Sequence, residues 1–114
     1  MLECAQTETG PNPRFAVIWL HGLGADGNDF GPIVPELVAR DWPPIRFVFP
    51  HAPRRAITIN GGMPMRAWYD IRDLTPEGRD DEAGLQTTRE RIESYIAAER
   101  AQGRGVVRRE REHF

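Results

Sequence analysis

The chain has 114 residues, which is enough for one small domain, and its 39% hydrophobic and 28% charged residues are ordinary for a globular protein. The formal net charge of −2 gives no reason to expect nucleic acid or an anionic membrane surface as a partner. The single cysteine excludes an internal disulfide framework, and no apolar run approaches the roughly 20 residues that span a bilayer.

The first predicted element is a buried strand. Residues 1–10 precede it and lack the basic start and apolar stretch of a signal peptide, so we expect a cytoplasmic protein. Residues 15–20 form a continuous apolar run of strand length, which is typical of a strand covered on both faces in a parallel sheet. The next eleven residues, 21–31, contain four glycines and predict a functional loop.

A helix and a second strand follow this loop. Pro32 suits the first turn of a helix, and apolar residues then recur at helical spacing at Ile33, Val34, Leu37 and Val38. Residues 41–44 end the helix, and residues 45–49 read as a strand. Strand, helix and strand in this order predict a βαβ unit with parallel strands, and therefore an α/β fold.

The second half of the chain contains one long predicted helix. A short β-like segment at residues 57–59 and a turn at residues 60–62 come before it. The helix is expected from about Asp80 to Gln102, with its buried stripe at Leu85, Thr88, Ile92, Tyr95 and Ile96. Beyond it, only Val106 and Val107 favour a strand, and the charge density predicts a disordered tail over residues 104–114.

The glycine-rich loop allows two interpretations, of which the first is a dinucleotide site. Residues 22–27 spell G-x-G-x-x-G between a strand and a helix, the pattern that binds a pyrophosphate. Residues 28–32 intervene between its third glycine and the first apolar residue of the helix, and residues 50–53 stand where an acidic residue is expected. Arg54 and Arg55 keep the alternative open, because arginines can bind a 2′-phosphate.

The second interpretation is an oxyanion loop. In acyl transfer, the attacked carbonyl becomes a tetrahedral oxyanion that backbone N–H groups stabilise. In α/β-hydrolases, one of these donors lies in a glycine-rich loop after a core strand, and this loop often opens with His-Gly. The pair His21-Gly22 stands at that place in this chain.

Several short motifs occur in the order of one known family. They are the segments 16–27, 28–30, 50–53, 60–63 and 67–71. Together they resemble the phospholipase/carboxylesterase family, which includes bacterial carboxylesterases and acyl-protein thioesterases. The resemblance covers about residues 2–103 and implies the N-terminal part of an α/β-hydrolase domain with a mostly parallel sheet. It also implies hydrolysis of a small-molecule ester or an acylated substrate without a cofactor, and a homodimer is one possibility.

The resemblance also assigns roles to individual residues. It implies that the Leu23 backbone N–H is an oxyanion donor. The residues expected to shape the loop or line the acyl pocket are His21, Gly22, Gly24, Trp68 and Tyr69. From the residues alone, His21 and Trp68 also fit plain core positions, and His51 fits a turn. Asp26, Asp29 and the histidines lack the spacing of a metal site, so no metal is predicted.

The catalytic triad of such an enzyme is not found in the sequence. A serine hydrolase presents its nucleophile on a G-x-S-x-G turn, followed by an acid and a histidine. The one serine, Ser94, lies in the predicted helix without flanking glycines, and His113 lies in the charged tail. We therefore expect that the chain stops before the catalytic serine, is inactive alone and is marginally stable. The alternatives are a non-catalytic remnant that binds acyl ligands or pairs with an esterase subunit, and the dinucleotide-binding domain.

Overall fold

The computed structural model describes residues 4–25, 28, 34–39, 41–73, 75, 78 and 81–110. Within these residues the strands are β1 (Cys4–Glu8), β2 (Phe15–Leu20), β3 (Ile45–Pro50), β4 (Arg54–Ala56), β5 (Pro64–Arg66) and β6 (Gly105–Glu110). The helices are α1 (Val34–Leu37), α2 (Glu82–Ala101) and a short 3₁₀ turn (Thr58–Asn60). None of the helices in the described part of the chain is long and apolar enough to cross a membrane.

A four-stranded mixed sheet in the order β1-β3-β2-β6 organises the fold. Strand β2 is parallel to both β3 and β6, whereas β1 runs antiparallel to β3. The parallel pairing of β2 with β3 confirms the predicted βαβ unit. Helix α1 lies within the predicted helix; Pro32 and Ile33, where its start was expected, lie outside the described residues.

Helices cover both faces of the sheet, as the uninterrupted apolar run of β2 predicts. On one face, Ile18 and Leu20 pack in a buried cluster with Ile92 and Tyr95 of α2. On the other face, the buried cluster consists of Val34, Phe47 and Phe49, with Val17 and Trp19 packed against it. Successive β2 side chains therefore alternate between two apolar layers, which is why the whole run is hydrophobic.

The prediction of a disordered tail is wrong for residues 105–110. These residues form β6, which pairs with β2 over its full length, from Phe15 opposite Gly105 to Leu20 opposite Glu110. The charged side chains did not prevent a strand because β6 lies at the sheet edge, where Arg108 and Arg109 remain exposed. Val106 is half-buried and packs against the core. Residues 111–114 lie outside the described residues.

The short strand expected at residues 57–59 is also shifted. Strands β4 and β5 form an antiparallel pair on either side of this segment, and residues 58–60 adopt a 3₁₀ turn instead. The Thr58 N–H and hydroxyl both donate to the Asp70 carboxylate, at 2.9 and 2.6 Å, and this local bonding replaces a strand ladder. The predicted turn at residues 60–62 is present, with φ of 64° at Gly61 and 79° at Gly62.

Helix α2 agrees with the prediction to within two residues at each end. Asp81 precedes it as an N-cap, and its carboxylate accepts a hydrogen bond from the Gly84 N–H at 3.0 Å. Gly103, with φ of 80°, follows the helix in the left-handed conformation that glycine favours. The helix thus returns the chain to the amino-terminal edge of the sheet, where β6 begins.

Candidate functional site

The glycine-rich loop lies at the carboxyl ends of the parallel strands, the edge at which open α/β sheets bind ligands. Residues 21–25 leave the end of β2, and residues 51–53 leave the end of β3. Strand β6 ends beside them, because its last residue, Glu110, pairs with Leu20. Three chain segments therefore meet at one edge.

His21 links two of these segments from inside the protein. Its residue exposure is only 1%, and its Nε2 accepts the Ala52 N–H at 3.0 Å. Its Nδ1 lies 2.7 Å from the Gly22 carbonyl oxygen. Since a carbonyl can only accept, Nδ1 carries the proton, and the imidazole is the neutral tautomer with both nitrogens bonded. His21 thus shapes the loop from the core, and any direct contact with substrate stays a prediction.

Trp68 is hydrogen-bonded to the start of the same loop from the protein core. Its Nε1–H donates to the His21 carbonyl at 3.0 Å, and the two rings lie 5.1 Å apart between centroids. The Thr88 hydroxyl of α2 donates in turn to the Trp68 carbonyl. Trp68 is 1% exposed and Tyr69 is 8% exposed, so both belong to the core cluster. In this structure Trp68 supports the loop, and the expected role of both residues in lining an acyl pocket stays a prediction.

Gly24 makes the sharp bend of the loop. Its φ is 77°, and its N–H donates to the Arg66 carbonyl of β5 at 3.0 Å. A Cβ atom at this position would lie 3.8 Å from the Met65 sulfur, which is an ordinary contact. The backbone conformation, and not lack of space, therefore explains why glycine suits this position.

Leu23 lies between the two fixed points of the loop. The Ala25 N–H closes a tight turn by donating to the Gly22 carbonyl at 3.2 Å. Leu23 itself is 38% exposed, in contrast to the buried His21 and Gly22. Its N–H makes no hydrogen bond to any part of the chain that the structure describes. The loop thus presents the Leu23 N–H, without a hydrogen bond inside the described part of the chain, at an exposed bend with anchored flanks.

The β4–β5 hairpin supplies further anchors that the sequence did not reveal. The Arg66 Nη1 donates to the Ala52 carbonyl at 2.7 Å, and the Ala67 N–H donates to the Pro53 carbonyl at 3.1 Å. With the Gly24 bond, the hairpin ties the β2 loop to the segment after β3. The acceptor in each of these three bonds is a backbone carbonyl, and such bonds leave no pattern in a sequence.

The other candidate residues do not join this site. The Ser94 hydroxyl donates to the Glu90 carbonyl at 3.1 Å in the middle of α2, so it lies on a regular helix and not on a strained turn. No group of three or more histidine, cysteine or acidic side chains in the described residues could hold a metal ion. Asp26, Gly27 and Asp29 lie outside the described residues.

Comparison with known proteins gives the family of this fold. The sequence profile of the phospholipase/carboxylesterase family matches residues 3–112. The chain belongs to this family. Acyl-protein thioesterase 1 homolog 1 of Dictyostelium discoideum is 40% identical over 83 residues, which are 73% of this chain and 37% of that protein. Acyl-protein thioesterase 1 of Candida albicans is 40% identical over 91 residues, which are 76% of this chain and 39% of that protein.

Solved structures of the family share the fold. Acyl-protein thioesterase 2 of Zea mays superposes with a TM-score of 0.77 at 25% identity, over 96% of this chain and 46% of that one. SOBER1 of Arabidopsis thaliana superposes with a TM-score of 0.78 at 28% identity, over 88% of this chain and 50% of that one. The chain thus spans less than half the length of these curated relatives and at most half of these solved chains. The expected partial α/β-hydrolase fold is confirmed, and family membership favours the oxyanion interpretation over the dinucleotide site.

Proposed function

We propose that the chain forms the oxyanion-loop part of a hydrolase that cleaves carboxylic esters or thioesters. One observation carries the proposal: the Leu23 N–H lies at an exposed bend whose neighbours are fixed by His21 and Gly24. Donors that are already in place before the reaction stabilise a developing oxyanion without the cost of reorganising them. The fixed flanks of Leu23 supply this preorganisation.

The position of β6, which ends beside β2, also supports the proposal. In α/β-hydrolases, the nucleophilic serine stands on a sharp turn after a strand, and the N–H of the next residue is the second oxyanion donor. Because Glu110 pairs with Leu20, a turn that follows β6 in a complete domain opens beside Leu23. A serine there attacks the acyl carbon, a histidine takes its proton, and the carbonyl oxygen receives both N–H donors.

The relatives support the class of substrate. Two of them carry the name acyl-protein thioesterase and are 40% identical to this chain over the matched residues. We therefore assign a small-molecule ester or an acylated molecule as the substrate. We propose that Trp68, whose Nε1–H bonds to the loop, and its neighbour Tyr69 line the acyl pocket. The proposed reaction uses only side chains and backbone amides, so we expect it to require no cofactor.

The chain by itself is expected to be inactive. Ser94 is bonded within α2, and His21 has both ring nitrogens bonded, so neither serves as nucleophile or base. Loss of the nucleophile costs a serine hydrolase about a millionfold in kcat. A p-nitrophenyl ester assay of the chain should give the same rate for the native sequence and for Ser94→Ala. A rate that this substitution abolishes would contradict the assignment.

A chimera tests the oxyanion role directly. Residues 1–110 are joined to the remaining C-terminal part of the Dictyostelium relative, and thioester hydrolysis is measured. Leu23→Pro removes the N–H and should lower kcat about 10²–10³-fold, the effect of losing one oxyanion donor. Leu23→Ala is the matched control, because it keeps the N–H and changes only an exposed side chain. If a well-folded Leu23→Pro chimera keeps the control's kcat, the Leu23 assignment is wrong.

A second function, pairing with another subunit, is favoured by the outer edge of β6. Among the described residues no strand pairs with that edge, and Val107 is 43% exposed on it. An open strand edge is a template for pairing with another chain. Co-expression with the C-terminal half of a relative should give a stable complex on sizing, and self-pairing should give a homodimer. A cytoplasmic site of action stays a prediction, which localisation of a tagged chain would test.

A further inference from the structure

The β4–β5 hairpin carries an unusual concentration of positive charge for a protein of net charge −2. Three of its six strand residues are arginines, at positions 54, 55 and 66. Arg54 and Arg66 are direct partners in the antiparallel ladder, so both side chains leave the same face of the hairpin. Like charges placed directly opposite each other destabilise a pair of strands. A negatively charged group bound between the two arginines would therefore stabilise this pair.

The described residues provide few negatively charged partners for the hairpin arginines. Asp81 is the one carboxylate among them within ion-pair distance of the hairpin arginines, and it lies 3.9 Å from the Arg55 Nη1. Arg55 belongs to the opposite face of the hairpin, since neighbouring strand residues alternate. The guanidinium of Arg66 donates to an uncharged group, the Ala52 carbonyl. On the Arg54–Arg66 face, both positive charges thus lack a carboxylate partner in the described part of the chain.

This face adjoins the oxyanion loop. The Arg66 carbonyl accepts the Gly24 N–H, so the backbone of Arg66 contacts the loop that presents Leu23. The bond to Ala52 fixes one nitrogen of the half-buried Arg66 guanidinium and leaves its other N–H groups available. A planar guanidinium held in this way is preorganised for the two oxygens of a carboxylate or phosphate.

We propose that Arg54 and Arg66 form an anion-binding subsite beside the oxyanion loop, which recognises a carboxylate or phosphate group of the ester substrate. Binding of the anion depends only on the two arginines, whereas its role as part of a substrate rests on the proposed hydrolase function. The subsite makes the enzyme selective for esters that carry a second, negatively charged group. A neutral ester of the same size leaves the arginine pair uncompensated.

Titrations of the full chain followed by amide NMR test the subsite. The probes are monomethyl succinate for a carboxylate, methyl phosphate for a phosphate and dimethyl succinate as the neutral control. We expect at least one anion to shift the Arg54, Arg66 and Gly24 amides with a Kd that weakens as salt is added, and the neutral diester to shift none of them. The tighter anion identifies the chemical group. Equal shifts with the neutral diester, or none with either anion, would overturn the proposal.

Substitutions separate the subsite from general surface charge. Arg54→Gln should weaken binding of the anion at least tenfold, whereas Arg89→Gln, which removes an exposed charge on α2, should leave it unchanged. Arg54→Glu places a carboxylate opposite Arg66 and should both abolish anion binding and raise Tm. Anion binding that survives Arg54→Glu, or a lower Tm, argues against the subsite. Leu23→Pro should not affect these titrations, so failure of the oxyanion proposal and failure of the subsite give different results.

Discussion

Replacement of His21 by leucine tests whether this buried side chain holds the candidate site together. The change keeps most of the volume but removes the acceptor of the Ala52 N–H and the donor to the Gly22 carbonyl. Ala52 is 0% exposed, so water does not replace the acceptor of its N–H, whereas the Gly22 carbonyl keeps its bond from the Ala25 N–H. The unbonded Ala52 N–H costs about 1–3 kcal/mol, and the lost bond to Gly22 costs about 1 kcal/mol. The leucine returns about 1–2 kcal/mol through apolar burial, so we expect a net loss of about 1–2 kcal/mol.

Urea unfolding followed by tryptophan fluorescence measures this loss. Trp68→Phe is the comparison: it keeps an aromatic ring against His21 but removes the Nε1–H bond, 3.0 Å long, to the His21 carbonyl. It should cost about 2–4 kcal/mol, at least as much as His21→Leu, because it removes a hydrogen bond in a buried site and leaves a cavity where the larger ring packed. The reasoning fails if His21→Leu leaves the free energy of unfolding unchanged or raises it. Such a result would mean that the loop is held by other contacts.

Three further changes test separate parts of the fold. Gly24→Ala should cost about 1–2 kcal/mol in urea unfolding, because φ is 77° and an L side chain is strained there. Glu99→Gln should cost about 2–4 kcal/mol by the same measurement, because it removes the charge that faces Arg46 at 2.6 Å and Arg104 at 3.3 Å in a largely buried network. Burial, with a smaller contribution from the Cys4 thiolate, raises the pKa of Tyr95 from 10.0 to about 12. Its contribution to stability is therefore full below pH 10 and falls, by on the order of 1–3 kcal/mol, as the pH rises from 10 to 12. Tyr95→Phe should remove this fall, and a tyrosinate absorbance titration checks the pKa itself.

The elements that the sequence predicts best are those with a full apolar signature. The run at residues 15–20 packs in apolar clusters on both faces of the sheet, fully buried on one and half-buried on the other apart from the exposed Phe15, and its predicted bounds agree with β2. The stripe of α2 likewise follows from its contact with one face of the sheet. In contrast, β1 has the half-polar sequence Cys-Ala-Gln-Thr-Glu and is an edge strand, held mainly by its backbone pairing with β3. Edge strands bury few side chains, so β1 and β6 leave almost no hydrophobic pattern to read.

The candidate site also has features that the sequence predicts and features that it does not. The His-Gly pair and the glycine bend at position 24 are visible in the sequence because they depend on side-chain identity and on the absence of a Cβ. The bonds that fix the bend go to the Arg66 carbonyl and the Ala52 N–H, which are backbone groups that nearly every residue type offers. The loop was therefore recognisable from its own residues, whereas its anchors required coordinates.

The remaining requirement of the site is the register of β6, and this is set at the far end of the strand. The Glu99 carboxylate, on a residue that is 7% exposed, accepts from Arg46 at 2.6 Å and from Arg104 at 3.3 Å, just before β6 begins. The Gly105 N–H then donates to the Arg14 carbonyl at 2.9 Å, which starts the pairing with β2. Because a slip of one residue would turn every β6 side chain to the opposite face, this network also fixes where the strand ends. An ionic cluster at the amino-terminal edge of the sheet thus determines which backbone groups meet the Leu23 loop at the other edge.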